Sequence, residues 1–495
     1  MMKSIYIVSA ILLLGNIAFA QNEEDIVRYS VTTNTGSARS SAMGGAFGAL
    51  GGDMTTLGNN PAGIGVFRKS EISITPYLNI ANTKSNCTSI RTTSFQLGSL
   101  GAVITLYNEH FDWRGFNFGV NYTNLNNFNR KTNQFIYNSP TSFPQAWANE
   151  ANYALSKGYA VPIAAEMANY VHLLNWDEKN GQYEPNLFNH EEINQHKYIE
   201  EEGYQGEYDL SFGTNYKDKL YLGLTIGIQS IRYKYSSLYT GKASEDSYNE
   251  IDRYNHYQYL KTEGVGTNFK IGAIYRPLPA LRIGAAIHTP TYFSVSEDYE
   301  ESMHSEFYTP DENGDYEYDS YLDPYPTRYD YDMQTPWKAV FSLATVLWQK
   351  AILSIDYEFN NYNSARFSNG NDGFDYDQPG EANEYVRALL KNTNNVRIGA
   401  EYRVNSIFSL RSGYAYWNSP YKYTDAGKIQ TVSGGFGLNF GTFYCDAAYV
   451  YKFNKNTTRF YEYIDDLDPQ YDVIAEPVNN KYHTHEAKIT LGVRF

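Results

Sequence analysis

Two cysteines, Cys87 and Cys445, are all that the 495 residues contain. No metal-ligand spacing surrounds them, and a disulfide between the two is the one covalent option they leave open. The motifs of familiar enzymes are missing as well. There is no Gly-x-Ser-x-Gly elbow for a nucleophilic serine, no His-Glu-x-x-His for a zinc protease and no Cys-x-x-Cys for redox chemistry. An enzyme is therefore not expected, nor a cofactor. Basic residues are outnumbered, 40 Lys+Arg against 55 Asp+Glu, for a net charge of −15. That balance argues against a nucleic-acid partner. After position 20 no apolar run approaches the about 20 residues of a membrane-crossing helix, so a helical membrane architecture is excluded too.

The first twenty residues stand apart. Lys3 supplies a positive start, Ile5 to Ile17 is mostly apolar, and Ala18-Phe19-Ala20 has the small-x-small form of a signal-peptidase site. Residues 1–20 are read as a signal peptide, with Gln21 as the new N-terminus. No cysteine follows the site, which argues against a lipid anchor. The chain as a whole combines a mean hydropathy of −0.52 with 16% aromatic residues, 48 of them tyrosine. A transmembrane β-barrel has this profile: apolar and polar residues alternate, so hydropathy averages away, while the rims carry aromatic girdles.

Alternation is visible strand by strand. Ala487, Ile489, Leu491, Val493 and Phe495 share one parity, and Glu486, Lys488, Thr490 and Arg494 the other. Leu220 to Ile228, Leu353 to Phe359 and Val396 to Val404 repeat the pattern. A period of two places each set on one face, here a lipid-facing exterior and a lumen lined by mixed charges. Fourteen strands are expected, near 69–80, 91–107, 114–125, 204–215, 219–240, 259–276, 280–296, 335–348, 350–363, 394–404, 406–418, 428–439, 442–454 and 481–495. The connections alternate between short turns, such as Pro277-Leu278-Pro279 and Phe440-Gly441, and excursions that are mostly long, such as 126–203 and 297–334. Short periplasmic turns and long extracellular loops produce this rhythm and put both termini on the periplasmic side. The last strand, with Leu491, Val493 and terminal Phe495, resembles the signal read by the bacterial barrel-assembly machinery, an expected partner during biogenesis.

Several loop and strand residues are weaker candidates. Between Glu297 and Asp332 lie thirteen carboxylates and one arginine. Asp311, Asn313 and Asp315 have the every-other-residue spacing of a calcium loop around Gly314, although a solvated acidic loop is the better reading. The Ala-, Leu- and Met-rich segment 144–174 fits one or two short helices on the outer rim. His483 and His485 share a face of the last strand and make a conceivable haem or metal pair. His288, beside Thr289-Pro290-Thr291, is read as a strand position next to a bend.

Nine glycines lie between Gly36 and Gly65. A phosphate loop would need a Gly-Lys-Ser/Thr ending, which is absent. The segment instead resembles the N-terminal signature of the FadL/TodX family of outer-membrane transporters for hydrophobic compounds. It carries Ala42-Met43-Gly44-Gly45-Ala46, Asp53, Thr55-Thr56 and Asn60-Pro61-Ala62-Gly63-Ile64. Segments 288–291 and 335–338 look like the Bacteroidetes branch of that family.

The resemblance implies an all-β fold: residues 21–68 form a hatch, or plug, inside a barrel of about fourteen strands spanning 69–495. It implies a passive channel in the Gram-negative outer membrane, among outer-membrane lipid and lipopolysaccharide. Such a channel carries long-chain fatty acids or other hydrophobic molecules, with the hatch as gate and lateral release through a gap in the wall. The hatch motif would be Asn60, Pro61, Ala62 and Gly63. Phe47, Leu50, Leu57 and Phe67 would contact the ligand, and the gap would lie along the third strand at Gly115, Asn117, Gly119 and Asn121. A secretion or assembly component built on the same barrel is the alternative, and a haem receptor the next.

Overall fold

The period-two segments close into one antiparallel sheet. In this computed structural model, residues 22–33, 36–86, 88–186, 192–243, 251–310, 316–322, 327–369, 378–465 and 469–495 are described. The wall strands are β1 (Glu71–Ser85), β2 (Thr88–Tyr107), β3 (Trp113–Asn127), β4 (Ile193–Tyr216), β5 (Leu220–Ala243) and β6 (Ile251–Leu278). They continue with β7 (Leu281–His288 and, beyond a break, Tyr292–Pro310) and β8 (Thr327–Gln334 and Trp337–Leu347). The last six are β9 (Ala351–Asn361), β10 (Thr393–Arg403), β11 (Phe408–Trp417), β12 (Ile429–Asn439), β13 (Phe443–Thr458) and β14 (Val478–Arg494). Each pairs with the next, and Glu71↔Arg494 through Ser85↔Asn480 joins β1 to β14, so the fourteen strands form a closed barrel. No helix among the described residues is long and apolar enough to cross a membrane.

Expected and observed strands coincide at the rim of short turns and differ at the other. There β4, β5 and β6 run on to Ile193, Ala243 and Ile251, and much of the expected loop 297–334 is ladder, with Tyr292↔Gln334 through Tyr299↔Thr327 paired. The reason is solvent. Above a bilayer both faces of a strand touch water, so a paired strand there need not carry alternating apolar residues.

The two faces of the wall divide as the parity requires. Outward positions such as Ile104, Phe118, Ile271, Leu353 and Leu491 are exposed apolar side chains, as a lipid-facing wall needs. Inward positions are charged and paired: Arg411 bridges Glu401 (2.7 Å) and Asp446 (2.6 Å), Lys270 bridges Glu207 (2.5 Å) and Asp209 (2.9 Å), and Glu486 accepts from Lys452 (2.6 Å). Cys445 is a free thiol whose strand neighbours are Leu438 and Leu491; Cys87 lies outside the described residues.

A cap bridges the long-loop rim. Two helices, α4 (Phe143–Lys157) and α5 (Ile163–Tyr170), follow the strand Arg130–Ser139 that continues beside the upper half of β4. Helix α4 starts at a capping box, Ser142 with Gln145, and stops at Gly158, whose φ of 74° is the left-handed geometry glycine adopts cheaply. Phe143, Trp147, Met167 and Leu174 pack against Tyr239 and Tyr254 on one side of the mouth and Phe460, Tyr461 and Val473 on the other. The mouth is thereby spanned by a continuous apolar core.

Candidate functional site

Residues 22–33 and 36–67 lie against the inward face of the wall. Asn22 caps helix α1 (Glu23–Ser30) by accepting from the Asp25 amide at 3.1 Å, with three carboxylates in the first turn and Arg28 in the last, the polarity a helix dipole favours. Short helices α2 (Ala38–Ala42) and α3 (Thr56–Asn59) and the 3₁₀ turn Pro61–Val66 follow. Wall side chains reach this segment from many sides. Thr490 accepts from the Ala38 amide (2.8 Å), Ser433 donates to the Ala42 carbonyl (3.1 Å), and Thr225 donates to the Leu57 carbonyl (2.8 Å). The His288 Nε2 bonds the Asn59 carbonyl (2.8 Å), Asp356 accepts from the Gly48 amide (3.0 Å), and Arg39 pairs with Glu401 (3.0 Å). These bonds satisfy, inside the barrel, a backbone that has little secondary structure of its own.

The Asn60-Pro61-Ala62-Gly63 motif is the hinge of this packing. Asn60 Oδ1 accepts from the Ala62 amide (3.2 Å) while Nδ2 donates to the Gly48 carbonyl (2.6 Å), and Pro61 opens the 3₁₀ turn. Wall glycines let it approach. A Cβ at Gly223 would lie 2.2 Å from the Pro61 carbonyl oxygen, and one at Gly272 only 1.9 Å from Asn60 Oδ1. Of the proposed ligand contacts, Phe47 and Leu50 pack with Met43 and Ala344, and Leu57 and Phe67 with Met54, Ile64 and Val103. All four are buried inside the plug's own contacts with the wall.

Strand β3 is paired on both sides from Gly115 to Thr123, so Gly115, Asn117, Gly119 and Asn121 border no opening. They serve the plug: Asn117 donates to the Ile64 and Phe67 carbonyls, and Gly119 makes room for Leu57 and Ile64. The interruption lies higher. Pairing of β2 with β3 ends at Ser99↔Thr123, while β2 continues along β1 past a bulge at Thr75/Pro76 and β3 continues along β4. Above that point no backbone pair joins β2 to β3 among the described residues; side chains bridge them, such as Asn127 Nδ2 to Ser94 Oγ at 3.0 Å, and the strand Arg130–Ser139 packs against β1 and β2. Beside it runs the connector after α1, held by Asn126, which donates to the Val31 carbonyl (2.8 Å).

The upper lumen carries an apolar cluster, beside the buried carboxylates of Asp25 and Glu297. Ile231, Tyr233, Phe293, Val295, Tyr331, Met333 and Phe367 line it together with Val386 and Leu390 of helix α6 (Gln378–Leu389) and its end. Its occupant is α1, through Ile26, Val27 and Tyr29. Arg28 sits over the Tyr233 ring at 4.5 Å. Beneath α1 remains a polar cavity of about 70 Å³ touching Tyr29, Gly58, Lys270, His288, Thr335 and Lys338. Ligand pockets measure about 300–1,000 Å³, so this cavity is too small to hold one. A larger concavity, about 750 Å³, lies outside the wall near the short-turn rim, lined by Leu106, Phe111, Trp113 and Phe116; it belongs to the aromatic girdle. Sequence reasoning missed α1 and the chamber, although Asn22 followed by Glu23, Glu24 and Asp25 is a helix-start signal.

The remaining candidates scatter. His483 and His485 point outward, their Nδ1 atoms bonded to the hydroxyls of Tyr451 and Tyr449 at 2.6 Å. No group of three or more His, Cys, Asp or Glu among the described residues is arranged to hold a metal. Asp311, Asn313, Asp315 and the signal peptide lie outside the described residues. Leu491 and Val493 face outward on β14, and Phe495 closes onto Ser70 through its amide (3.0 Å).

The fold thus defines a closed fourteen-strand barrel whose inward side chains hold the N-terminal segment by hydrogen bonds from several strands. The sequence matches no protein-family model and no curated protein. Solved structures do match over nearly their whole length. A Pseudomonas aeruginosa FadL homologue shares the fold at TM-score 0.54 and 12% identity, covering 94% of this chain and 99% of its own. The Ralstonia pickettii toluene transporter TbuX follows at 0.53 and 14%, with the same coverages, and the P. putida toluene transporter TodX at 0.51 and 12%.

Proposed function

We propose that this chain is an outer-membrane channel for hydrophobic small molecules, long-chain fatty acids or aromatic hydrocarbons, with its N-terminal segment as the gate. The observation that carries the reading is the apolar chamber in the upper lumen filled by Ile26, Val27 and Tyr29 of α1. A chamber whose apolar lining is covered by a short, separable helix is a site for which a hydrophobe can compete. An aromatic ring burying about 150 Å² gains about 4 kcal/mol on leaving water.

Displacement of α1 would pull on Val31 and Thr33, which Asn126 holds beside the unzipped seam between β2 and β3. Lateral release through that seam is the proposed exit, since it leads to the lipid-facing wall at Leu100 and Tyr122 rather than through the charged lower lumen. The role is transport and not catalysis. The fold it shares with the toluene transporters supports this reading, and the test is uptake. Cells lacking their own hydrophobe channels, expressing this chain, should accumulate labelled toluene or palmitate faster than cells with empty vector. Equal rates for both compounds, with the barrel folded in the outer membrane, would sink the reading.

A further inference from the structure

The outer face of four adjacent strands carries a feature that transport does not use. On β1, β2, β13 and β14 the outward residues align in rows across the sheet. Phe95, Leu78, Ala487 and Tyr449 form one row, then Thr93, Ile80, His485 and Tyr451. Above them come Arg91, Asn82, His483 and Phe453, and above those Ser89, Lys84, Lys481 and Lys455. No outward position of these four strands is a carboxylate, in a chain whose net charge is −15. Lys84, Lys455, Lys481 and Arg91 are exposed, and among the described residues none of them lies in an ion pair. Arg91 Nε donates to Asn82 Oδ1 at 3.0 Å, which orients the guanidinium along the wall.

Counted from Val493 at the short-turn end, a crossing of about 9–11 residues ends between His485 and His483. The tyrosines therefore stand where an aromatic girdle belongs and the cations stand at headgroup level. The hydroxyls of Tyr451 and Tyr449 bond the Nδ1 atoms of His483 and His485 at 2.6 Å. A cluster of interfacial lysine and arginine attracts anionic lipid, each cation contributing about fivefold, and donors of this kind make charge-assisted bonds to phosphate oxygens.

We propose that this face, centred on Lys84, Lys455, Lys481 and Arg91, binds the phosphorylated headgroup of an outer-leaflet glycolipid, whose acyl chains lie on the aromatic rows below. The inference rests on the proposed outer-membrane orientation. It is tested with full-length protein exchanged into detergent containing lipid A, with or without its phosphates, and bound lipid counted by native mass spectrometry. Wild type should retain the phosphorylated form. The variant Lys84→Ser/Lys455→Ser/Lys481→Ser should bind it at least about tenfold more weakly, and neither protein should hold the dephosphorylated form. A control with equal charge loss on the opposite rim, Lys69→Ser/Lys219→Ser/Lys350→Ser, should behave as wild type. Equal retention by wild type and the first variant, or no preference for phosphate, overturns the proposal. Loss in the control set instead would overturn the orientation, whereas absent hydrophobe uptake with lipid retention intact would count against the channel reading alone.

Discussion

Two wall glycines offer a way to move the plug while leaving the barrel alone. Gly413 on β11 and Gly223 on β5 face the lumen, and neither has a positive φ, so alanine suits the strand backbone at both. A Cβ at Gly413 would lie 2.1 Å from the Gly44 amide nitrogen and 2.3 Å from the Met43 carbonyl carbon. At Gly223 it would lie 2.2 Å from the Pro61 oxygen and 2.3 Å from the Pro61 carbonyl carbon. These are backbone atoms with no rotamer to give way, so the plug must retreat by at least about 1 Å at each point to reach ordinary contact. Overpacking of this kind costs about 1–3 kcal/mol per site, and separated sites add. A combined penalty near 3 kcal/mol shifts a seated-to-displaced plug equilibrium about 10²-fold. Gly413→Ala/Gly223→Ala should therefore leak ions in planar bilayers where wild type is silent, with the barrel still heat-modifiable on gels. Gly434→Ala is the control, because its Cβ would meet nothing closer than 3.7 Å. If the double variant folds and stays as silent as wild type, the plug does not seal the lumen and the gating argument is wrong.

Other consequences are separable by assay. Ile26→Asp, which would place a carboxylate in the apolar chamber, should release α1 and raise hydrophobe uptake in the absence of prior loading; hydrogen exchange over residues 23–30 should rise in step, and unchanged exchange would contradict a displaceable helix. Arg411→Met leaves Glu401 with Arg39 as its remaining cation and removes the partner of Asp446; breaking that buried pair should cost about 3 kcal/mol, read as a lower temperature for losing the folded band on gels. In the cap, burial pushes the Glu150 carboxyl up to about 7. Its folded value exceeds the unfolded one, so both states are protonated below about pH 4.5, and cap stability falls as pH rises toward 7 by about 3 kcal/mol in all. Exchange protection of α4 should accordingly be greater at pH 5 than at pH 8 in wild type and flat across that range in Glu150→Gln.

The wall was legible because a bilayer imposes a strict alternation. Ile489, Leu491 and Val493 must face lipid, and Lys488, Thr490 and Arg494 then have no choice of side. The glycine-rich plug was legible as a segment unsuited to strands. Its ligand contacts were not: Phe47, Leu50, Leu57 and Phe67 are large and apolar wherever they sit, and periodicity cannot distinguish a ligand wall from a plug core. The strand-3 glycines carried the same ambiguity. Gly119 admits Leu57 and Ile64 of the plug, while the seam arises from pairing partners that diverge above Ser99 and Thr123.

Sequence by itself determined the strand count, the sidedness of each strand and the rim on which the long segments emerge, because these follow from local alternation and turn length. Tertiary structure decided what fills the lumen. Whether α1 occupies the apolar chamber, which carbonyls of the plug meet Thr490, Ser433 and Thr225, and where β2 parts from β3 all depend on contacts between residues up to 452 positions apart. Such contacts are set by how a closed cylinder brings its far walls to bear on one short segment, and no local pattern encodes that.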